Sequence, residues 1–139
     1  MQIVPYLNFD GKAKEAFAFY AKVLNGTITA QMAYRDGPRE MCGQMPPETL
    51  DRLMHTQLES DGATLMGADG PPPHPSQAVG TTLNVMVDTP AEAERVFAAL
   101  AEGGDIKMAI QETFWAQRWG MLIDRYGKPW MVNCLKPAP

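Results

Sequence analysis

Apolar positions recur along this chain in two rhythms, and the same succession of rhythms occurs twice. Residues 2–9, QIVPYLNF, form a short apolar run that predicts a strand. Pro5 near its start has no N–H for a ladder, so this strand is expected at an edge or irregular there. Asp10 then offers an N-cap. Ala13, Ala16, Phe17, Tyr20, Val23 and Leu24 follow at helical spacing until Gly26 stops the pattern. A second helix opens on Thr89-Pro90-Ala91-Glu92, a capping box with proline at the first helical position. Ala93, Val96, Phe97 and Leu100 make its apolar stripe, and Gly103-Gly104 ends it.

The stripe Ala13, Ala16, Phe17, Tyr20 lies 80 residues before Ala93, Val96, Phe97, Leu100. Each helix follows an apolar strand and precedes about three strand-like segments. These are 27–34, 54–59 and 63–67 after the first, then 105–110, 119–124 and 129–135 after the second. Asp61-Gly62 predicts a tight hairpin between two of them, and a second turn falls around Tyr126-Gly127. The pattern therefore reads as βαβββ twice, an α+β chain duplicated at long period. Residues 1–68 form the first module and 79–139 the second, joined by a rigid proline-rich connection at 69–78, and the whole is expected to be one compact unit. Residues 35–53 interrupt the regularity with one helical turn or two; such an excursion serves as a lid, a subunit contact or a plain surface loop.

Composition narrows the function. Hydrophobic residues make up 45% of the 139 positions, enough for a packed interior, and charged residues only 20%. A net charge of −4, with lysines and arginines scattered among acids, lacks the clustered positive field that phosphate backbones require, so nucleic acid is excluded as a partner. No apolar run reaches the ~20 residues that cross a bilayer, and MQIVPYLNF lacks a basic signal head, so no membrane association is expected. Cys42 and Cys134 make neither a disulfide framework nor a CxxC pair; Cys134, in an apolar run, reads as an inert buried thiol. These features together predict a cytoplasmic protein. Ten methionines give an adaptable interior that suits core filling first and a pocket of loose specificity second.

Few residues offer chemistry. Of two histidines, His74 in PPPHP reads as a solvated loop residue, and His55 lies in a strand, hydrogen-bonded at the sheet surface or catalytic. The run Thr113-Phe114-Trp115-Ala116-Gln117-Arg118-Trp119 places aromatics beside a cation. It forms either a ligand wall or the packing of the hinge between strands six and seven. There is no GxSxG, HExxH or P-loop.

Three motifs resemble those of PhnB-like proteins. Tyr6, Phe9, Gly11, Glu15-Ala16 and Phe19-Tyr20 are similar to the family's opening YxxFxGxxxEAxxFY, and Leu53-Met54-His55 to its mid-chain strand. Thr113-Phe114-Trp115, Gly120, Asp124, Gly127 and Trp130-Met131 are similar to its closing TFWxxxxGxxxDxxGxxWM, with Ala116 where a glycine is common. The likeness runs through essentially the whole chain. It implies membership of the glyoxalase/bleomycin-resistance/dioxygenase (vicinal oxygen chelate) superfamily, whose fold is two βαβββ modules with curled mixed sheets around a cleft. It also implies a homodimer. Some relatives are named for 3-demethylubiquinone methylation, yet no GxGxG turn follows the first strand here to hold a nucleotide-like methyl donor.

Metal-dependent members bind a divalent ion through one side chain from each of strands one, four, five and eight. By the resemblance those positions fall here at Pro5, about Met66, Thr82 and Met131, which cannot supply a His and carboxylate set. No metal and no other cofactor is therefore expected. Residues in phase with these positions should face the cleft: Leu7, Met66, Asn84, Met86, Met131 and Asn133, with His55 and Trp115 added from the family motifs. That mixture of apolar side chains and two amides is expected to bind a small molecule. Three readings follow: a small-molecule binder or metal-free enzyme, a metal-dependent lyase, isomerase or dioxygenase, and a non-catalytic dimeric module. In the last, the cleft is filled by the chain's own methionines. The alternative to a pocket is that Asn84 and Asn133 hydrogen-bond each other or the backbone inside a closed core.

Overall fold

The computed structural model describes residues 1–70 and 79–138, apart from the side chain of Met41. His74 and most of the proline-rich connection lie outside the described residues. The chain divides into two compact units, within residues 1–77 and 78–139.

The first unit runs β1 (Tyr6–Phe9), α1 (Ala13–Val23), β2 (Thr27–Ala33), β3 (Leu53–Ser60) and β4 (Ala63–Asp69), and its mixed sheet has the order β1-β4-β3-β2. The second runs β5 (Leu83–Met86), α2 (Pro90–Ala101), β6 (Asp105–Gln111), β7 (Ala116–Ile123) and β8 (Pro129–Leu135), in the corresponding order β5-β8-β7-β6. The first strand of each unit lies parallel to the last, and the other neighbours are antiparallel. The duplication expected from the two stripes is thus repeated in topology, and the fold is α+β.

Each helix buries its predicted stripe against one face of its own sheet. Ala13, Ala16, Phe17, Tyr20, Ala93, Val96, Phe97 and Leu100 are all at most 4% exposed. The duplication extends to single cross-strand pairs. Thr56 stands opposite Gly67 and Gly120 opposite Val132. A Cβ on Gly67 would lie 2.6 Å from Phe17, and one on Gly120 would lie 2.6 Å from Phe97. Each unit thus leaves one member of this pair without a side chain to seat the phenylalanine, but on different strands. In the first unit the remaining member is Thr56, whose buried hydroxyl has no hydrogen-bond partner among the described residues.

The helix ends depart from expectation. The N-cap residue of α1 is Lys12 rather than Asp10, whose carboxylate takes Arg52 Nη1 at 2.8 Å. The cap comes from Asp69 at the end of β4, 1% exposed, whose Oδ1 accepts from the Ala13 N–H at 3.0 Å and Oδ2 from the Leu53 N–H at 2.9 Å. Strand β4 therefore runs through Asp69 rather than ending before the connection. At the other end of α1 the left-handed residue is Asn25, not Gly26. The box at α2 is half made. Thr89 Oγ1 accepts from the Glu92 N–H at 3.1 Å, whereas the Glu92 carboxylate turns to Arg95. Asp61 and Gly62 both have positive φ, the backbone of a two-residue hairpin of the primed type.

Residues 35–53 contain a single α-helical turn, Arg39–Cys42, between 3-10 turns at Tyr34–Asp36 and Pro47–Thr49. Hydrogen bonds from Tyr34 N to Arg52 O and from Arg35 N to Leu50 O close the excursion at its base. Tyr34 Oη donates to the Asp69 backbone carbonyl at 2.6 Å. Cys134 is buried, and neither cysteine is in a disulfide. Among the described residues no helix is long and apolar enough to cross a membrane.

Candidate functional site

Register assigns each strand residue to the face covered by the unit's helix or to the opposite, open face. In the second unit, Asn84 pairs with Met131, Met86 with Asn133, Trp119 with Asn133 and Met121 with Met131. Gly120 and its partner Val132 alternate with these residues, and Gly120 lies under Phe97, so the paired set occupies the opposite face. Of the expected site residues, the structure brings Asn84, Met86, Met131 and Asn133 together there.

A hydrogen-bonded chain organises this face. Trp115 Nε1 donates to Asn133 Oδ1 at 3.3 Å, Asn133 Nδ2 donates to Asn84 Oδ1 at 3.0 Å, and Asn84 Nδ2 points to Met86 Sδ at 3.2 Å. Trp115 is delivered by a tight turn between β6 and β7. Thr113 N donates to Ala116 O at 3.0 Å, and Ala116 N to Thr113 Oγ1 at 3.0 Å. This turn buries Ala116 and leaves Phe114 at 89% exposure. Trp115 packs edge to face with Phe114, centroids 4.9 Å apart, and with Trp119 at 5.5 Å. The two amides therefore do hydrogen-bond each other, with Asn133 buried at 6% exposure and Asn84 exposed at the edge strand β5.

Arg118 does not join the aromatic wall. It pairs with Cys134 on the helix face, and its guanidinium reaches Glu94 of α2 at 2.9 Å. A register shift between Ala116 and Arg118 accompanies this arrangement.

In the first unit the open face carries His55, Met66 and Gln57, with Tyr6 beside Met66. Tyr6 Oη and His55 Nδ1 are hydrogen-bonded at 3.1 Å, their rings tilted by 35°. Burial pushes the Tyr6 phenol up from its ordinary value. Leu7 is not part of this group. It stands beside Gly67, and Phe9 beside Asp69, so both project toward α1, where Phe9 meets Phe17 edge to face. The strand-one phase is thus one residue away from that counted from Pro5. The signal lay in the strand itself, where apolar Leu7 and Phe9 alternate with Tyr6 and Asn8. Tyr6, Gln57, Trp119 and Met121 are among the open-face residues that the count missed.

The metal positions implied by the superfamily can be tested on these faces. Shifting strand one by a residue brings Val4 and Tyr6 into phase, and neither is a plausible partner for Met66, Thr82 and Met131 in holding a divalent ion. Among the described residues, no group of three or more His, Cys, Asp or Glu side chains could hold a metal ion. These donor sets do not fit a divalent metal ion.

Comparison with known proteins agrees with this architecture. A family model described as 3-demethylubiquinone-9 3-methyltransferase matches residues 1–133. The chain is 33% identical to Protein YjdN of Escherichia coli K12 over 147 aligned residues, covering 100% of this chain and 99% of that one. Protein PA1353 from Pseudomonas aeruginosa is similar at 42% identity, with 99% of each chain covered and a TM-score of 0.87. A PhnB protein from Bacillus cereus, also described as a 3-demethylubiquinone-9 3-methyltransferase, is 25% identical over 96% of this chain and 99% of its own, with a TM-score of 0.80. FosX, a fosfomycin resistance protein from Listeria monocytogenes, shares the fold alone, at 9% identity, 98% and 93% coverage and a TM-score of 0.66. The chain belongs to the PhnB-like 3-demethylubiquinone-9 3-methyltransferase family.

Proposed function

We propose that this protein binds a small organic molecule on the open face of its second sheet, without a metal ion. The carrying observation is the chain Trp115–Asn133–Asn84, which holds two carboxamides in fixed orientation among methionines. Thioethers and indole supply adaptable apolar contact, and a few oriented donors and acceptors supply specificity. His55, Tyr6 and Met66 form a second candidate patch in the first unit. The methyltransferase name is not what supports this reading. The β1–α1 connection, Asp10-Gly11-Lys12, has one glycine and no run of turns for a nucleotide-like donor, and its Asp10 is engaged by Arg52.

We infer also that two copies pair in the cytoplasm. The topology leaves β1, β2, β5 and β6 as sheet edges, and Met32, Ile106 and Met108 on β2 and β6 are 43%, 51% and 44% exposed. Unpaired edges bearing apolar side chains are commonly covered by a partner.

The binding proposal is tested by a thermal-shift screen of a small-molecule library against wild type and Asn133→Ala, in chelator and with added divalent metals. Ligands that bind the native state raise the melting temperature. Stabilising compounds that act in chelator and lose their effect in N133A support the reading. Compounds that act only with added metal, or equally on N133A, contradict it.

A further inference from the structure

The direction of the hydrogen-bonded chain on the second sheet fixes more than geometry. An indole N–H is a donor only, whereas a carboxamide has both a donor and an acceptor end and can flip. Trp115 Nε1 contacts Asn133 at Oδ1, which forces the Asn133 amide group to face Asn84. Asn84 must then receive it with its oxygen, which turns its own NH₂ to the Met86 side. By count, Asn84 retains one N–H and one oxygen lone pair, and it is exposed. One carboxamide with one of each left presents a donor beside an acceptor, the pairing by which asparagine reads a flat heterocycle edge.

The charge on the face is equally restrictive. Strands β5, β7 and β8 carry a single charged side chain among them, Arg118, and it is on the helix face paired to Glu94. On β6 of the same sheet Lys107 is engaged by Asp105, so an anionic ligand would lose its hydration and find no unengaged cation on the described strands.

Resting on the proposed site, we propose that its ligands are neutral flat rings with a lactam-type edge, an N–H beside a C=O, read by Asn84. Trp115 is the positioning residue that sets which end of Asn84 donates. Asn84 supplies its remaining N–H to the ligand carbonyl and its remaining lone pair to the ligand N–H. Met86, Met131 and the Trp115 ring give the flat surface its apolar contact.

The test uses quinolin-2-one as the probe and quinoline-2-carboxylate as its charged counterpart, with binding measured by calorimetry on the full chain. Quinolin-2-one is expected to bind at least tenfold tighter than the carboxylate. Asn84→Ala and the nearly isosteric Asn84→Asp should each weaken it tenfold or more. Both substitutions are at an exposed position, and unchanged melting temperatures check that the fold is kept. Trp115→Phe keeps an aromatic ring and removes the donor. It should weaken quinolin-2-one about tenfold and double the Asn84 and Asn133 side-chain amide resonances as both flip states become populated, which loss of packing or of the indole ring current alone would not do. Equal or tighter binding of the carboxylate, or unchanged affinity in both Asn84 variants, overturns the proposal. If neither probe binds but library compounds move those amide resonances, the lactam assignment falls and the site stands. If no compound moves them, both fall.

Discussion

Replacing Asp69 by asparagine removes the cap that a distant strand supplies to α1. Asp69 Oδ1 and Oδ2 each accept one buried backbone N–H, from Ala13 and Leu53, at 3.0 and 2.9 Å. A carboxamide of the same shape keeps one acceptor and turns an NH₂ group toward the other N–H, donor against donor. One charge-assisted bond becomes a neutral one and the second is lost, leaving a buried N–H unpaired. Bonds to charged groups contribute about 1.5–3 kcal/mol each, and an unsatisfied buried donor costs about 1–3 kcal/mol. The expected loss is about 2–4 kcal/mol, from the partial weakening of one bond and the full loss of the other. At roughly 2–4 °C per kcal/mol for a chain near this size, the melting temperature should fall by about 5–15 °C. Urea unfolding followed by far-ultraviolet circular dichroism gives the free energy directly. Asp10→Asn is the matched control, because Asp10 is the sequence's own candidate for the cap and is exposed. Loss of an exposed ion pair costs at most ~1 kcal/mol. If Asp10→Asn destabilises as much as Asp69→Asn, or Asp69→Asn by less than ~1 kcal/mol, the tertiary-cap argument is wrong.

Thr56→Val should stabilise the protein by about 1 kcal/mol, because it replaces a buried, unpaired hydroxyl with a methyl of equal size; a fall in urea midpoint would count against that. The Tyr34 phenol is pushed up by burial first, then by the Asp69 charge and by Tyr6. Its stabilising share is therefore complete below the ordinary value of 10.0 and is lost as pH climbs through the higher folded value, the unfolded chain having ionised first. Tyr34→Phe should lose about 1 kcal/mol at neutral pH with the bond to the Asp69 carbonyl, and should show a shallower decline of stability in alkali. The purified protein should carry no stoichiometric Zn, Ni, Mn or Fe by elemental analysis, and about one ion per chain, removed by chelator with loss of stability, would refute the reading of Met66 and Met131. Sedimentation should give a dimer, whereas a single 15.3 kDa species across the micromolar range would refute pairing.

The elements that local patterning controls were legible. Both helix stripes, the Asp61-Gly62 hairpin and the 129–135 strand follow from spacing and turn chemistry between near neighbours. What the sequence did not disclose depends on partners far along the chain. Asp69 looks like the start of a linker until β4 brings it beneath α1, 56 residues from Ala13. Arg118 looks like part of an aromatic wall until Glu94 of α2 draws it to the other face. Strand β1 is four residues long, too short for a turn to fix its phase, and counting from the family's metal positions put Leu7 on the wrong side of it. Asn84, Met131 and Asn133 came out on one face because β5 and β8 pair directly, so a phase correct on one strand carries to the other.

Ligands are proposed to bind without metal at the Asn84–Asn133 pair. The most direct measurement is a ¹H–¹⁵N spectrum of the labelled protein, titrated in chelator with the stabilising compounds from the thermal-shift screen. Saturable shifts of the Asn84 and Asn133 side-chain amides and of the Trp115 indole N–H are expected, with Asn8 and Gln57 side chains still. Shifts confined to other residues, or none until a divalent metal is added, would contradict it.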